Sequence, residues 1–179
     1  MNRNILFSIA LLLTLALSTV FSGVSNAASN QLLIEVEIPR MNVAEYHRPY
    51  VAIWLEDSNR KATQIALWYD LDMKDNEGAK WLKDIRQWWR RIGRKAEQPF
   101  DGLTSATKGA GKHTISVDLN AKELKALAAG DYQLRIEASR EVGGKEVVNI
   151  PLTWPIKASD YPLKASGNSE LGDVLIQVN

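Results

Sequence analysis

Two-residue alternation of apolar and polar side chains constrains this chain more than any other feature. In Gln31 to Ile38, Leu32, Ile34, Val36 and Ile38 share one face, while Glu35 and Glu37 fall on the other. Successive side chains of an extended strand point to opposite sides, so this period predicts a half-buried strand rather than a helix. Pro39 ends it, because proline has no N–H to give to a ladder. Tyr50 to Glu56 and Thr63 to Tyr69 are the next two strands, rich in Val, Ile, Trp and Tyr. Asp57-Ser58-Asn59 between them is turn chemistry, so a hairpin is expected. Lys112 to Leu119, Tyr132 to Arg140, Glu146 to Trp154 and Asp173 to Val178 bring the tally to about seven strands. Gly143-Gly144 joins the fifth and sixth as a tight turn.

One stretch changes period. Trp81, Leu82, Ile85, Trp88, Trp89 and Ile92 recur at helical spacing, with Lys83, Asp84, Arg86, Gln87, Arg90 and Arg91 opposite. This predicts one amphipathic helix over residues 77–92, stopped by Gly93. Arg90, Arg91 and Arg94 suit the negative end of its dipole. Residues 93–111, with Pro99, Gly102, Gly109 and Gly111, read as a long polar loop, and loops of that length are usually functional. Ala121 to Ala129 reads as a short helix or turn, and residues 157–172 as polar and irregular. No strand–helix–strand alternation occurs, which argues against a parallel α/β sheet. The expected fold is mainly β: an antiparallel β-sandwich, immunoglobulin-like in outline, with one inserted helix.

Residues 1–27 read as a secretory signal. Arg3 supplies the positive start, Ile5 to Leu17 the apolar run, and Ser25-Asn26-Ala27 a small-x-small cleavage pattern. Cleavage there leaves residues 28–179 as a single sandwich domain, with the periplasm as its destination. A domain of about 150 residues buries enough surface to fold without staples. None is available: the chain has no cysteine, which also removes thiolate nucleophiles and iron–sulfur chemistry. The formal net charge of +1 falls to neutral once Arg3 is removed, so no nucleic-acid partner is expected.

Hydrolytic chemistry finds little support. The two histidines, His47 and His113, have no nucleophile announced beside them, and no metal-ligand spacing is present. The six tryptophans read mainly as core, with one of the adjacent Trp88 and Trp89 at its rim.

The long loop carries the informative stretch, Asp101-Gly102-Leu103-Thr104-Ser105-Ala106-Thr107. It resembles the flavinylation motif, Asp-x-x-(Ser/Thr)-(Gly/Ser)-Ala-Thr, recognised by FAD:protein FMN transferases. About one chain of this size in a thousand would match by chance. The resemblance implies covalent FMN, linked by a phosphoester to the hydroxyl of Thr107. Asp101, Thr104, Ser105 and Ala106 fill the other specified places, with Ser105 where glycine is commoner, and Gly102 lies within the motif. A hydroxyl that enters another enzyme's cleft is expected on an accessible, bendable segment.

A second resemblance covers most of the chain. Arg48-Pro49-Tyr50-Val51-Ala52-Ile53-Trp54-Leu55-Glu56-Asp57 is similar to the opening signature of a periplasmic family labelled domain of unknown function 2271. The Trp68 strand, the Trp81 to Trp89 helix, the Ala106-Thr107 loop and Gly130-Asp131-Tyr132 to Glu141 follow in that family's order. Members resemble partners of FMN transferases and of PepSY-type membrane reductases. Together the two resemblances imply an electron-transfer flavoprotein, a carrier rather than a stand-alone enzyme. On that reading Trp88 or Trp89 would stack on the flavin, and Arg86, Arg90, Arg91 or Arg94 would stabilise its reduced form. The alternative is a non-catalytic immunoglobulin-like binding or adaptor module.

Overall fold

The computed structural model describes residues 30–97, 100 and 103–179; the expected signal segment lies outside them, as do Asp101 and Gly102. Two sheets form a β-sandwich, as the alternation predicts. In one, β1 (Gln31–Ile38) lies between β5 (Gly111–Asp118) and β9 (Asp173–Val178), with β8 (Leu163–Ser166) outside β9. The other runs β4 (Leu103–Ser105), β3 (Ala62–Trp68), β2 (Tyr50–Asp57), β6 (Gly130–Ser139), β7 (Lys145–Trp154). β4 and β8 are strands where polar irregular chain is expected. β4 is short and pairs with β3 in parallel, an exception to the antiparallel pattern.

The inward faces follow the sequence period. Leu32, Ile34, Val36 and Ile38 are all buried and meet Val51, Ile53, Leu55, Leu134 and Ile136 of the opposite sheet. The five-stranded sheet is covered on its other face too, which explains why β2 is buried along nearly its whole length. Tyr50, Ala52 and Trp54 point outward there and pack with Leu67, Leu82, Ile85, Trp88 and Phe100 in a second core.

The cover is the inserted segment, and it is not one continuous α-helix. It consists of 3₁₀ turns over Lys74–Asp84, a single α turn α1 (Arg86–Trp88), and a π turn over Trp89–Gly93. Asp75 and Asn76 adopt left-handed conformations, and Ile85 leaves the helical region at ψ 78°. The restart has a cause far away in sequence. The Glu137 carboxylate of β6 accepts the backbone N–H of Gln87 and Trp88 at 2.9 and 2.8 Å, capping a new helical start. The predicted buried positions survive this change: Leu82, Ile85 and Trp88 are fully buried. Gly93 is more than a stop. A Cβ there would stand 2.5 Å from the Trp89 ring and 2.6 Å from that of Trp88, so glycine makes room for both indoles. Trp88 is the core member of the pair and Trp89 is half-buried at its edge. The turn expected over Ala121 to Ala129 contains one short helix, α2 (Lys122–Lys125).

Candidate functional site

Thr107 owes its position to strand register. β4 pairs with β3 so that Trp68 faces Ser105, and the Tyr69 N–H extends the ladder to the Ser105 carbonyl. Two residues further along each chain, Asp70 and Thr107 meet. The Thr107 hydroxyl donates to Asp70 Oδ1 at 2.9 Å. Tyr50, from β2, donates its hydroxyl to Asp70 Oδ2 at 3.3 Å and to the Gly78 carbonyl at 3.1 Å. Burial, with the Asp70 carboxylate next to it, pushes the Tyr50 hydroxyl well above the ordinary phenol value, so Tyr50 stays a donor. Gly78 closes the arrangement: a Cβ on it would stand 2.0 Å from the Asp70 carbonyl oxygen.

Tyr50, Asp70 and Thr107 line a cavity of about 610 Å³. Its walls come from the segment before β2 (Tyr46, His47, Arg48), from the inserted segment (Met73, Trp81, Asp84), and from the β6–β7 turn (Arg140, Val142, Lys145). Arg140 is held by Glu170 in a buried bidentate pair at 2.9 and 3.1 Å. Lys145 lies 3.6 Å from Asp84. His47 stands between Glu45 at 2.9 Å and Glu141 at 3.5 Å. Among the described residues Arg48 has no ion-pair partner.

The motif residues divide between two concavities. Thr104 and Ser105 line a second, more open hollow with Trp68, Lys108, Lys112 and His113, while Thr107 faces the larger cavity. The Thr104 hydroxyl donates to the Phe100 carbonyl at 3.2 Å. Ala106 is half-buried between them. Thr107 itself is only 7% exposed, so its hydroxyl is presented to a cavity and not, as expected, on a freely accessible loop. His113 bonds the Gly109 carbonyl through Nε2 at 2.7 Å, which fixes the far side of the same loop.

The helix residues assigned to the flavin on sequence grounds lie elsewhere. Trp88 is sealed in the second core, donating its indole N–H to Gln64. Arg91 pairs with the buried Glu56, which Arg135 and the Trp54 indole also contact. Arg90 bonds the Arg86 carbonyl. None of Arg86, Arg90, Arg91 or Arg94 lines the Thr107 cavity; Trp81, Arg48, Arg140 and Lys145 do. Asp70 escaped sequence reasoning. One acid after a strand carries no motif, and only the β3–β4 register singles it out.

Among the described residues no three His, Asp or Glu side chains converge as a metal site requires, and no helix is long and apolar enough to cross a membrane. Fold and cavity define the class: a β-sandwich with one sheet covered on its outer face and a cavity of small-molecule size under that cover. The chain belongs to the family described as Predicted periplasmic protein (DUF2271), whose model matches residues 31–173. No curated protein and no solved structure matches it.

Proposed function

We propose that this chain is a periplasmic electron carrier that holds FMN by a phosphoester on Thr107. An FAD:protein FMN transferase would load it, and a PepSY-type membrane reductase would be its redox partner. One observation carries the reading: the last residue of the motif lines a cavity of about 610 Å³, with its hydroxyl free of any backbone duty and donated to a carboxylate. The residues present suit the group. The cavity volume falls in the range that takes cofactor-sized molecules, Tyr46, Met73, Trp81 and Val142 give it apolar surface, and Arg48, without an ion-pair partner among the described residues, stands near the tether, where it would offset the Asp70 carboxylate facing the phosphodiester. Bound flavin would supply the electron-transfer chemistry. The chain's own residues hold and orient. Before loading, Asp70 orients the Thr107 hydroxyl, a bond given up once the oxygen is esterified; Tyr50, which also donates to the Gly78 carbonyl, holds Asp70, and the covered sheet keeps the tether rigid.

Loading exchanges the AMP of FAD for the Thr107 oxygen, and the hydroxyl proton leaves to solvent. Incubation with FAD, magnesium and a transferase is therefore expected to raise the intact mass by FMN less one water. Thr107→Ala should show no gain. No gain in the wild-type chain, with a transferase active on a control substrate, overturns the reading and leaves the cavity to a non-covalent binding module. Export belongs to the same proposal. The protein recovered from the periplasm should begin at Ala28, which the same mass measurement checks.

A further inference from the structure

Among the described residues seven large apolar side chains are exposed, and four of them, Tyr46, Met73, Trp81 and Val142, line the Thr107 cavity. Single exposed apolar residues are ordinary, but their convergence from three separate stretches on one concavity is the mark of a ligand surface. Val142 sharpens the point. It is 77% exposed and sits at φ 50°, a left-handed conformation that a β-branched residue adopts at a cost. Neither burial nor backbone preference accounts for valine there. Strain of this kind concentrates where ligands are gripped.

Polarity is distributed the other way around the tether. Thr107, Asp70 and Tyr50 are hydrogen-bonded together, and Arg48 lies beside the same loop. Its Nε stands 3.9 Å from the point that a Cβ on Gly109 would occupy. Asp70 sets a carboxylate at the tether, so an anion joined to Thr107 needs a cation beside it, and Arg48 is placed to supply one; elsewhere the four apolar side chains share the lining with His47, Asp84, Glu141 and Lys145. A phosphodiester attached to a planar aromatic ring would set its charge beside Arg48 and its ring among those apolar side chains.

Resting on the flavin reading above, we propose that the ring of the tethered FMN docks among these side chains with Trp81 as its stacking face, and that Arg48 neutralises the phosphodiester. Trp81 is 49% exposed, its indole is available to a partner, and Lys83 lies 5.7 Å from the ring centre and steadies it. An indole in contact with a flavin quenches its fluorescence, which makes the contact measurable without a redox partner.

The experiment compares transferase-treated wild type, Trp81→Ala, Trp81→Phe, Arg48→Gln and Trp89→Phe by intact mass, flavin fluorescence and anisotropy. All should gain FMN less one water, because none of these residues lies in the motif. Trp81→Ala should raise flavin emission several-fold, and Trp81→Phe should raise emission while keeping the high anisotropy of a stacked ring. Arg48→Gln should lower anisotropy, and Trp89→Phe, outside the cavity, should change neither signal. Near-ultraviolet circular dichroism checks that each variant is folded. A full mass gain with wild-type emission and anisotropy equal to those of the urea-unfolded flavinylated chain, unaltered by Trp81→Ala, overturns the docking proposal and leaves the tether standing. Absence of any mass gain overturns both.

Discussion

Val142 and Thr107 stand at opposite extremes of residue-level cost. Val142 holds a left-handed conformation with little packing in return, so Val142→Asn should stabilise the fold by about 1 kcal/mol, since asparagine tolerates that region. Urea unfolding checks this; a destabilised variant would mean that Val142 makes compensating contacts in the free protein. Thr107 is buried, but its hydroxyl is satisfied by Asp70, which also accepts from Tyr50. Asp70→Ala leaves the buried Thr107 hydroxyl without its acceptor, while Tyr50 keeps the Gly78 carbonyl, and is expected to cost about 1–2 kcal/mol. Tyr50→Phe keeps the ring packed between Tyr69 and the cover and removes one donor, for a loss of about 1 kcal/mol. If both variants unfold at the wild-type midpoint, the three groups do not form a coupled set.

At the scale of elements, the inserted segment shows how a tertiary contact overrides a local period. Its apolar spacing suits an α-helix, and Leu82, Ile85 and Trp88 do face the sheet. Glu137 intervenes by capping Gln87 and Trp88 from β6, and the π turn that follows accommodates two adjacent indoles against Gly93. Burial pushes the Glu137 carboxyl up from its usual value, against the pull of those two N–H donors and Arg135. Trp88→Ala should cost about 3–5 kcal/mol because the side chain is fully enclosed. Trp81→Ala should cost less than about 1 kcal/mol, since half of its surface is already in water. Thermal unfolding followed by circular dichroism separates the two; similar losses would contradict the assigned division between core and cavity mouth.

Across the whole molecule, Glu146 ties the far end of the chain to the cavity wall. It accepts the backbone N–H groups of Asn168, Ser169, Glu170 and Leu171 at 2.6–3.0 Å, and the loop so fixed delivers Glu170 to Arg140. Burial works against the charge of Glu146, yet the N–H donors outweigh it and hold its carboxyl below the usual value. A lowered folded-state value means that the stabilisation is fully present above the ordinary carboxyl value of 4.5 and is lost as pH falls through the folded value. Glu146→Gln should therefore be less stable than wild type by about 1–2 kcal/mol at pH 7. The gap should narrow as pH falls below 4.5 and through the lowered folded-state value. Urea titrations at neutral and acid pH check the sign; a gap that widens in acid would refute it.

Strand alternation was enough for the sandwich and its inward faces. Leu32, Ile34, Val36 and Ile38 are buried where alternation puts them, because the side-chain period of a strand is a property of neighbouring residues. The motif that ends at Thr107 is likewise local, and the role proposed for it awaits the mass measurement. Tertiary structure alone decided that β4 runs parallel to β3 and so brings Asp70 to Thr107, and that Trp81, not Trp88 or Trp89, lines the cavity. Glu137's capping of the inserted segment belongs to the same group. Register and caps join residues dozens of positions apart. Their energies depend on which strands pair and which charges are buried, and no local pattern carries that information.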